Sequence, residues 1–229
     1  MAVEAAVEVA MLVSRRQAGF LLSLALLVGA PLAQAQDRVG ATEISLGSPT
    51  APVTLVEFAS VSCPHCARFD ADVFPQLKAR YIDTGKVRYV FHEAPIHPRE
   101  DTAGFLVARC AGPQRYMAVV EALFHAQPQL FKGDLHAWLM AGATAGGLSE
   151  EQMRACIADV SAIQGFNERA EHTMTVDKVG STPTVRINGK DVPEAGPEFT
   201  FADIDAALRP LFGGKSAPAT GRAGRRSVH

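Results

Sequence analysis

Apolar and polar side chains alternate from Thr42 through Ile44 to Leu46, and Gly47-Ser48-Pro49-Thr50-Ala51-Pro52 ends that short strand-like run. Val53-Thr54-Leu55-Val56-Glu57-Phe58 follows with apolar residues on both faces, the pattern of a strand covered on both sides. Beyond Cys63 the period lengthens. Cys66, Phe69, Val73, Leu77 and Tyr81 recur at spacings of three and four, which predicts an amphipathic helix kinked by Pro75. Val87-Arg88-Tyr89-Val90-Phe91 then reads as a third strand.

The middle of the chain has helical periodicity throughout. A helix beginning near Arg99 carries Phe105, Leu106, Arg109, Cys110 and Ala111 and stops at Gly112-Pro113. The next puts Met117, Val120, Leu123 and Phe124 on one side, and a third presents Leu135, Trp138 and Leu139. Ser149 with Gln152 forms a capping-box signature ahead of Met153, Cys156, Ile157 and Val160, and a further helix leads through Phe166 and Ala170 toward Met174. Strand signals return at Pro183-Thr184-Val185-Arg186-Ile187, where Asn188-Gly189 ahead of Lys190-Asp191-Val192 marks a tight hairpin. Thr200 with Asp203 caps a last helix whose buried face is expected at Phe201, Ile204, Leu208 and Leu211.

Composition narrows the function. The 229 residues are 48% hydrophobic and 20% charged, which suits one globular domain with an elaboration. A net charge of -2 and 7% aromatic residues give neither the basic field nor the stacking platform that nucleic acid requires. At the N-terminus, Arg15-Arg16 precede an uncharged run from Gln17 to Gln36 with the apolar centre Phe20–Val28, then Pro31 and Ala33-Gln34-Ala35. Residues 1–35 are therefore expected to be a signal peptide cut after Ala35; the rival reading is an uncleaved anchor, for which the apolar run is short. Ser14-Arg15-Arg16 resembles a twin-arginine signal, but Gln17-Ala18-Gly19 continues it weakly, which favours the general secretory route. Glu4 and Glu8 ahead of a positive region mark Met11 as an alternative start. From Gly213 to the end the chain is rich in Gly, Ser, Pro and Arg and is expected to be disordered.

Cys63-Pro64-His65-Cys66 carries the chemistry. It puts two thiols one helical turn apart at a strand-to-helix junction, where the pair can close reversibly into a disulfide. Only a thiolate attacks a disulfide, and unpaired backbone N–H groups at a helix N-terminus stabilise one, so Cys63 is the candidate nucleophile. Cys66 is then the resolving thiol, Pro64 suits the first turn, and His65 directed toward the sulfur would favour the thiolate further. A structural zinc site would need a second ligand pair, which the sequence lacks; a metal-carrying C-x-x-C is the competing use. In an exported chain so small a disulfide loop constrains little of the unfolded state, so its value is redox chemistry. His92-Glu93-Ala94-Pro95-Ile96-His97 approximates the metalloprotease H-E-x-x-H, but the second histidine is one position late and Pro95 forbids the helix. His125, His136 and His172 are read as surface or capping residues.

The order strand, C-x-x-C, helix, strand, helical insertion, then Val179-Gly180-Ser181-Thr182-Pro183 and a hairpin resembles the thioredoxin fold, and Cys63-Pro64-His65-Cys66 resembles the DsbA-type oxidases. With Cys110-Ala111-Gly112-Pro113 and Ile187-Asn188-Gly189-Lys190, the chain is similar to the alphaproteobacterial DsbA-like subgroup over roughly residues 42–212. The resemblance implies an α/β fold: a central mixed sheet flanked by helices, with thioredoxin-like parts at 36–95 and 173–212 and a helical insertion at 96–172. It implies that Thr182-Pro183 is a cis-proline loop beside the sulfurs, which with Pro64 faces an extended substrate; an ordinary trans proline opening a strand is the alternative. It implies that Glu57 is a buried acid exchanging a proton with Cys66, which agrees with its sharing a strand side with Val53 and Leu55; an inert edge-facing Glu is the alternative. It also points to a structural Cys110–Cys156 disulfide, the alternative being two buried free cysteines.

Three functions follow. The first is a monomeric periplasmic protein disulfide oxidoreductase, without a cofactor, that passes the Cys63–Cys66 disulfide to reduced or misoxidised exported polypeptides and is reoxidised by a DsbB-type membrane partner. The second is an isomerase or reductase kept reduced, a direction that Ser62 and Thr182, which depart from the best-known oxidases, leave open. The third is a metal-carrying or non-catalytic thiol-binding module.

Overall fold

The computed structural model describes residues 43–213. The expected signal peptide and, apart from Gly213, the expected tail lie outside the described residues. Five strands form one sheet in the order β1-β3-β2-β4-β5: β1 (Ile44–Leu46), β2 (Val53–Ala59), β3 (Val87–Glu93), β4 (Thr184–Ile187) and β5 (Lys190–Asp191). β2 pairs parallel with β3, Val53 opposite Val87 and Ala59 opposite Glu93, and antiparallel with β4; β1 lies antiparallel to β3. β2 is thus the central strand, and Val53, Leu55, Glu57, Phe58 and Ala59 are buried. The hairpin forms at Asn188-Gly189, whose φ values of 49° and 77° are the positive angles that its tight turn demands.

A parallel β2–β3 pair needs a crossover, and residues 64–82 supply it. This crossover alternates α-helical segments, α1 (Pro64–Arg68) and α2 (Phe74–Leu77), with π-helical turns at Phe69–Val73 and Lys78–Ile82. The expected kink at Pro75 is therefore realised as a change of helical winding around it. Pro75 has no N–H to give to Ala71, while the Phe74 N–H bonds five residues back to the Phe69 carbonyl. Phe69, Val73, Leu77 and Tyr81 all face the core, a run of exact fours that suits the wider winding.

Six helices lie between β3 and β4: α3 (Pro98–Cys110), α4 (Tyr116–His125), α5 (Gln127–Phe131), α6 (Leu135–Ala145), α7 (Glu150–Ala158) and α8 (Val160–Thr175). Trp138 is fully buried and donates from Nε1 to the Leu123 carbonyl at 2.8 Å. A buried carboxylate ties this layer to the sheet. Glu93, at the end of β3, accepts from Arg109 at 2.7 Å, Arg169 at 2.8 Å and the Tyr116 hydroxyl at 2.9 Å. Such a group adds little net stability, but removing one of its partners leaves a buried charge uncompensated. Cys110 of α3 and Cys156 of α7 are joined as a disulfide with Cα atoms 6.1 Å apart.

The structure departs from the periodicity reading in three places. α5 has no counterpart in the apolar pattern. Val160 does not continue the apolar face of α7; Asp159 ends that helix and caps α8 by accepting from the Ser161 and Ala162 N–H groups, so Val160 opens a new helix and is 75% exposed. The last helix, α9 (Phe201–Leu208), buries Ile204 and Leu208, but Leu211 falls in the 3₁₀ turn Arg209–Phe212 and is 49% exposed. Phe212 stacks on Tyr81 in its place, with ring centroids 5.8 Å apart.

Gly104 of α3 packs closely against Trp138 of α6 and against Val61, just past β2. A Cβ there would lie 2.8 Å from Trp138 and 2.9 Å from Val61. Gly104→Ala gains about 1 kcal/mol in helix propensity but pays an overpacking cost of about 1–3 kcal/mol. We expect a net loss of stability, read as a lower urea midpoint with an unchanged slope.

Candidate active site

Ala59 ends β2, and a turn closed by the Cys63 N–H on the Ser60 carbonyl at 3.1 Å delivers the chain to α1. Cys63 is the N-cap residue, with extended φ and ψ of -82° and 123°, and Pro64 opens the helix, where a missing N–H costs nothing. Cys63 and Cys66 carry free thiols and are both buried. Cys63 Sγ lies 3.3 Å from the Thr182 carbonyl, to which the thiol donates. The Thr182-Pro183 peptide bond is cis. His65, Phe69, Thr182, Pro183, Glu198 and Phe199 line a groove of about 290 Å³ beside the sulfur.

The two thiols sit in opposite environments. Cys63 is pulled down from 9.0 to about 5, first by a hydrogen bond from the Cys66 thiol, against the cost of burial, then by the Thr182 side chain and the backbone N–H groups of Cys66 and His65. Cys66 is pushed well above the usual thiol range by burial, by its hydrogen bond to Cys63, and by the charges of Cys63 and Glu57. Cys63 therefore gives up its proton far more readily than Cys66.

Glu57 lies on the inward side of β2, 2% exposed, and accepts from the Tyr89 hydroxyl at 2.6 Å. Burial raises it to about 8; the Tyr89 bond opposes that rise, and the charges of Asp70 and Cys63 add to it. Asp70, in the first π turn, is itself raised to about 6, by burial first and by Glu121, with His125 opposing. Both carboxyls are thus raised, Glu57 further than Asp70.

The His65 ring does not reach toward the sulfur. It is exposed, with Nδ1 3.0 Å from Arg68 and 3.8 Å from Glu198, and Arg68 itself pairs with Glu198. His65 supports the Cys63 thiolate through its backbone N–H. Cys110 and Cys156 lie in the helical layer and take no part in lining the groove. Among the described residues no group of three or more His, Cys, Asp or Glu side chains is placed to hold a metal.

The periodicity missed two groups behind the turn. Asp101 of α3 is fully buried and accepts from Ser60 Oγ at 2.8 Å, the Ser62 N–H at 3.1 Å, the Ile96 N–H at 2.8 Å and the His97 N–H at 2.9 Å. Ser62 Oγ also lies 2.8 Å from His97 Nδ1. Gln127 of α5 donates from Nε2 to the carbonyls of Val61 at 2.9 Å and Cys63 at 3.0 Å. An acid in the first turn of a helix reads from sequence as a favourable dipole partner, and nothing in the apolar pattern marks Gln127.

Comparison with known proteins agrees with this fold. The family model described as thioredoxin matches residues 40–208. A putative protein-disulfide oxidoreductase of Rickettsia bellii is 26% identical over 173 residues, covering 75% of this chain and 66% of that protein. Disulfide bond formation protein D of Bacillus subtilis is 26% identical over 169 residues, 70% of this chain and 71% of that one. The chain thus spans between 62% and 66% of the length of the Rickettsia proteins it matches. The solved structure of alpha-DsbA1 from Wolbachia pipientis shares the fold, with a TM-score of 0.66 at 24% identity over 76% of this chain and 92% of that one. With the match running from before β1 to the end of α9, the chain belongs to the thioredoxin family.

Proposed function

We propose that this protein is a thiol:disulfide oxidoreductase of DsbA type that donates its Cys63–Cys66 disulfide to newly exported polypeptides in the periplasm. The observation that carries the reading is the contrast between the two sulfurs: Cys63 is held near 5 at a helix N-terminus facing Thr182-Pro183, and Cys66 is buried and held high. A thiolate stabilised in the reduced protein makes the disulfide a stronger oxidant. That direction favours giving disulfides away over shuffling them.

The steps balance as follows. A substrate thiolate attacks Cys63 Sγ, the Cys63–Cys66 bond breaks, and Cys66 leaves and takes a proton from Glu57. A second substrate thiolate attacks the substrate sulfur of the mixed disulfide, and Cys63 leaves as its stable thiolate. The substrate loses two electrons and gains a disulfide, and the protein keeps the electrons as a dithiol. Thr182 and Pro183 supply the wall along which an extended substrate lies. Reoxidation reverses the protein's half at a DsbB-type membrane partner. The signal-like N-terminus supports export, and the names of the relatives support the reaction class.

Three measurements test this. Equilibrated against glutathione buffers and trapped by alkylation, the full chain should have a potential far more oxidising than thioredoxin's; a value near about -270 mV overturns the reading. Alkylation of the reduced protein should be half-maximal near pH 5, because the folded Cys63 thiol sits at about 5, and Cys63→Ser should abolish both the fast alkylation and the exchange. The sign for Glu57 is opposite. Its pKa rises on folding from 4.5 to about 8, so the native state loses stability as pH climbs through that window. Glu57→Gln should therefore gain stability over the parent between those values, by at most about 5 kcal/mol, while slowing exchange at neutral pH.

A further inference from the structure

The turn that carries Cys63 belongs to the sheet layer, yet side chains of the helical layer hold its buried polar groups. The Gln127 amide group has two N–H donors at a fixed angle, and they meet the carbonyls two residues apart at Val61 and Cys63. Gln127 is only 4% exposed, and it reaches this turn from more than sixty residues along the chain. On the same turn, Asp101 holds Ser60 Oγ and the Ser62 N–H. Every residue from Ser60 to Cys63 therefore has a main-chain or side-chain polar group bonded to one of two side chains outside the thioredoxin-like core.

We propose that Gln127 is a positioning residue for thiol–disulfide exchange, holding the carbonyls of Val61 and Cys63 so that the Cys63 sulfur stays against the Thr182-Pro183 loop. This rests on the oxidoreductase reading above and goes beyond it by assigning the helical insertion a part in the reaction. The Cys63 carbonyl already accepts from the Ala67 N–H at 3.1 Å, the first bond of α1. A second donor at the same oxygen draws its negative end away from the adjacent sulfur and favours the thiolate electrostatically. It also fixes the backbone from which the sulfur projects, and exchange demands that the attacking and leaving sulfurs stay in line. An apolar side chain at position 127 would leave the Val61 carbonyl buried without this partner and free the turn to shift.

The test is Gln127→Met in the full chain, which keeps volume and removes both donors, with Gln127→Asn as a milder variant that keeps the amide one methylene short. Thiolate ultraviolet absorbance against pH should give a Cys63 midpoint raised by about half a unit to one unit in Gln127→Met, with Gln127→Asn between it and the parent. In glutathione buffer the dithiol-to-disulfide ratio should fall about threefold to tenfold, matching the shift in thiolate stability. A lower melting temperature in both redox states, with thiolate midpoint and glutathione ratio unchanged, marks a purely structural role and overturns the proposal. Should Gln127→Met fail to fold, Gln127→Asn decides on the same two readouts. An ordinary thiol midpoint in the parent protein overturns the oxidoreductase reading itself, whereas an acidic parent midpoint that the variants leave in place overturns only the role of Gln127.

Discussion

The stabilisation of negative charge on Cys63 by the start of α1 is the constraint around which the molecule is arranged. The Cys66 thiol, one turn into the helix, contributes most by hydrogen-bonding to the sulfur, and the partnerless backbone N–H groups of Cys66 and His65 add to it. For that geometry to persist, the helix must begin at one residue and face one direction. Pro64 sets the first turn, and the buried run of Phe69, Val73, Leu77 and Tyr81 pins the rest of the crossover to the sheet. The alternation of α and π winding keeps all four residues on one side despite Pro75.

Burial opposes the Cys63 thiolate and makes its neighbours poorer anions still. Cys66 and Glu57 are both buried, and desolvation first raises each; the hydrogen bond to Cys63 and its charge add to the rise at Cys66, and the charges of Asp70 and Cys63 to that at Glu57. A buried carboxyl is ordinarily a liability; here it is hydrogen-bonded to Tyr89, and its charge helps to raise the Cys66 thiol. Asp70, less buried, is raised less.

The helical layer does more than cover the sheet. Glu93 gathers Arg109, Tyr116 and Arg169 from three of its helices onto the end of β3. Gly104 brings α3 into contact with Val61, and Asp101 and Gln127 satisfy the polar groups of the turn before α1. A turn at the end of a buried strand has no ladder partner for its backbone, so those groups need side chains that only the neighbouring layer can supply.

Much of the fold was legible because its signals are local. The double-sided apolar run of β2, the switch of period after Cys63, both capping boxes and the Asn188-Gly189 turn each follow from residues a few positions apart. The candidate nucleophile was legible for the same reason: its chemistry needs only two cysteines at one helical turn. The end of α7 at Asp159 and the exposure of Leu211 were missed because a cap or a 3₁₀ turn can interrupt an apolar period without changing its composition. By itself the sequence determined the strand-helix-strand frame and the thiol pair. Only the tertiary structure decided which way the His65 ring turns, that Glu57 meets Tyr89, and that Asp101 and Gln127 hold the turn. The Glu57, Asp101 and Gln127 contacts join residues from about 30 to more than 60 positions apart, where the satisfaction of buried polar groups, and no local periodicity, selects the partner.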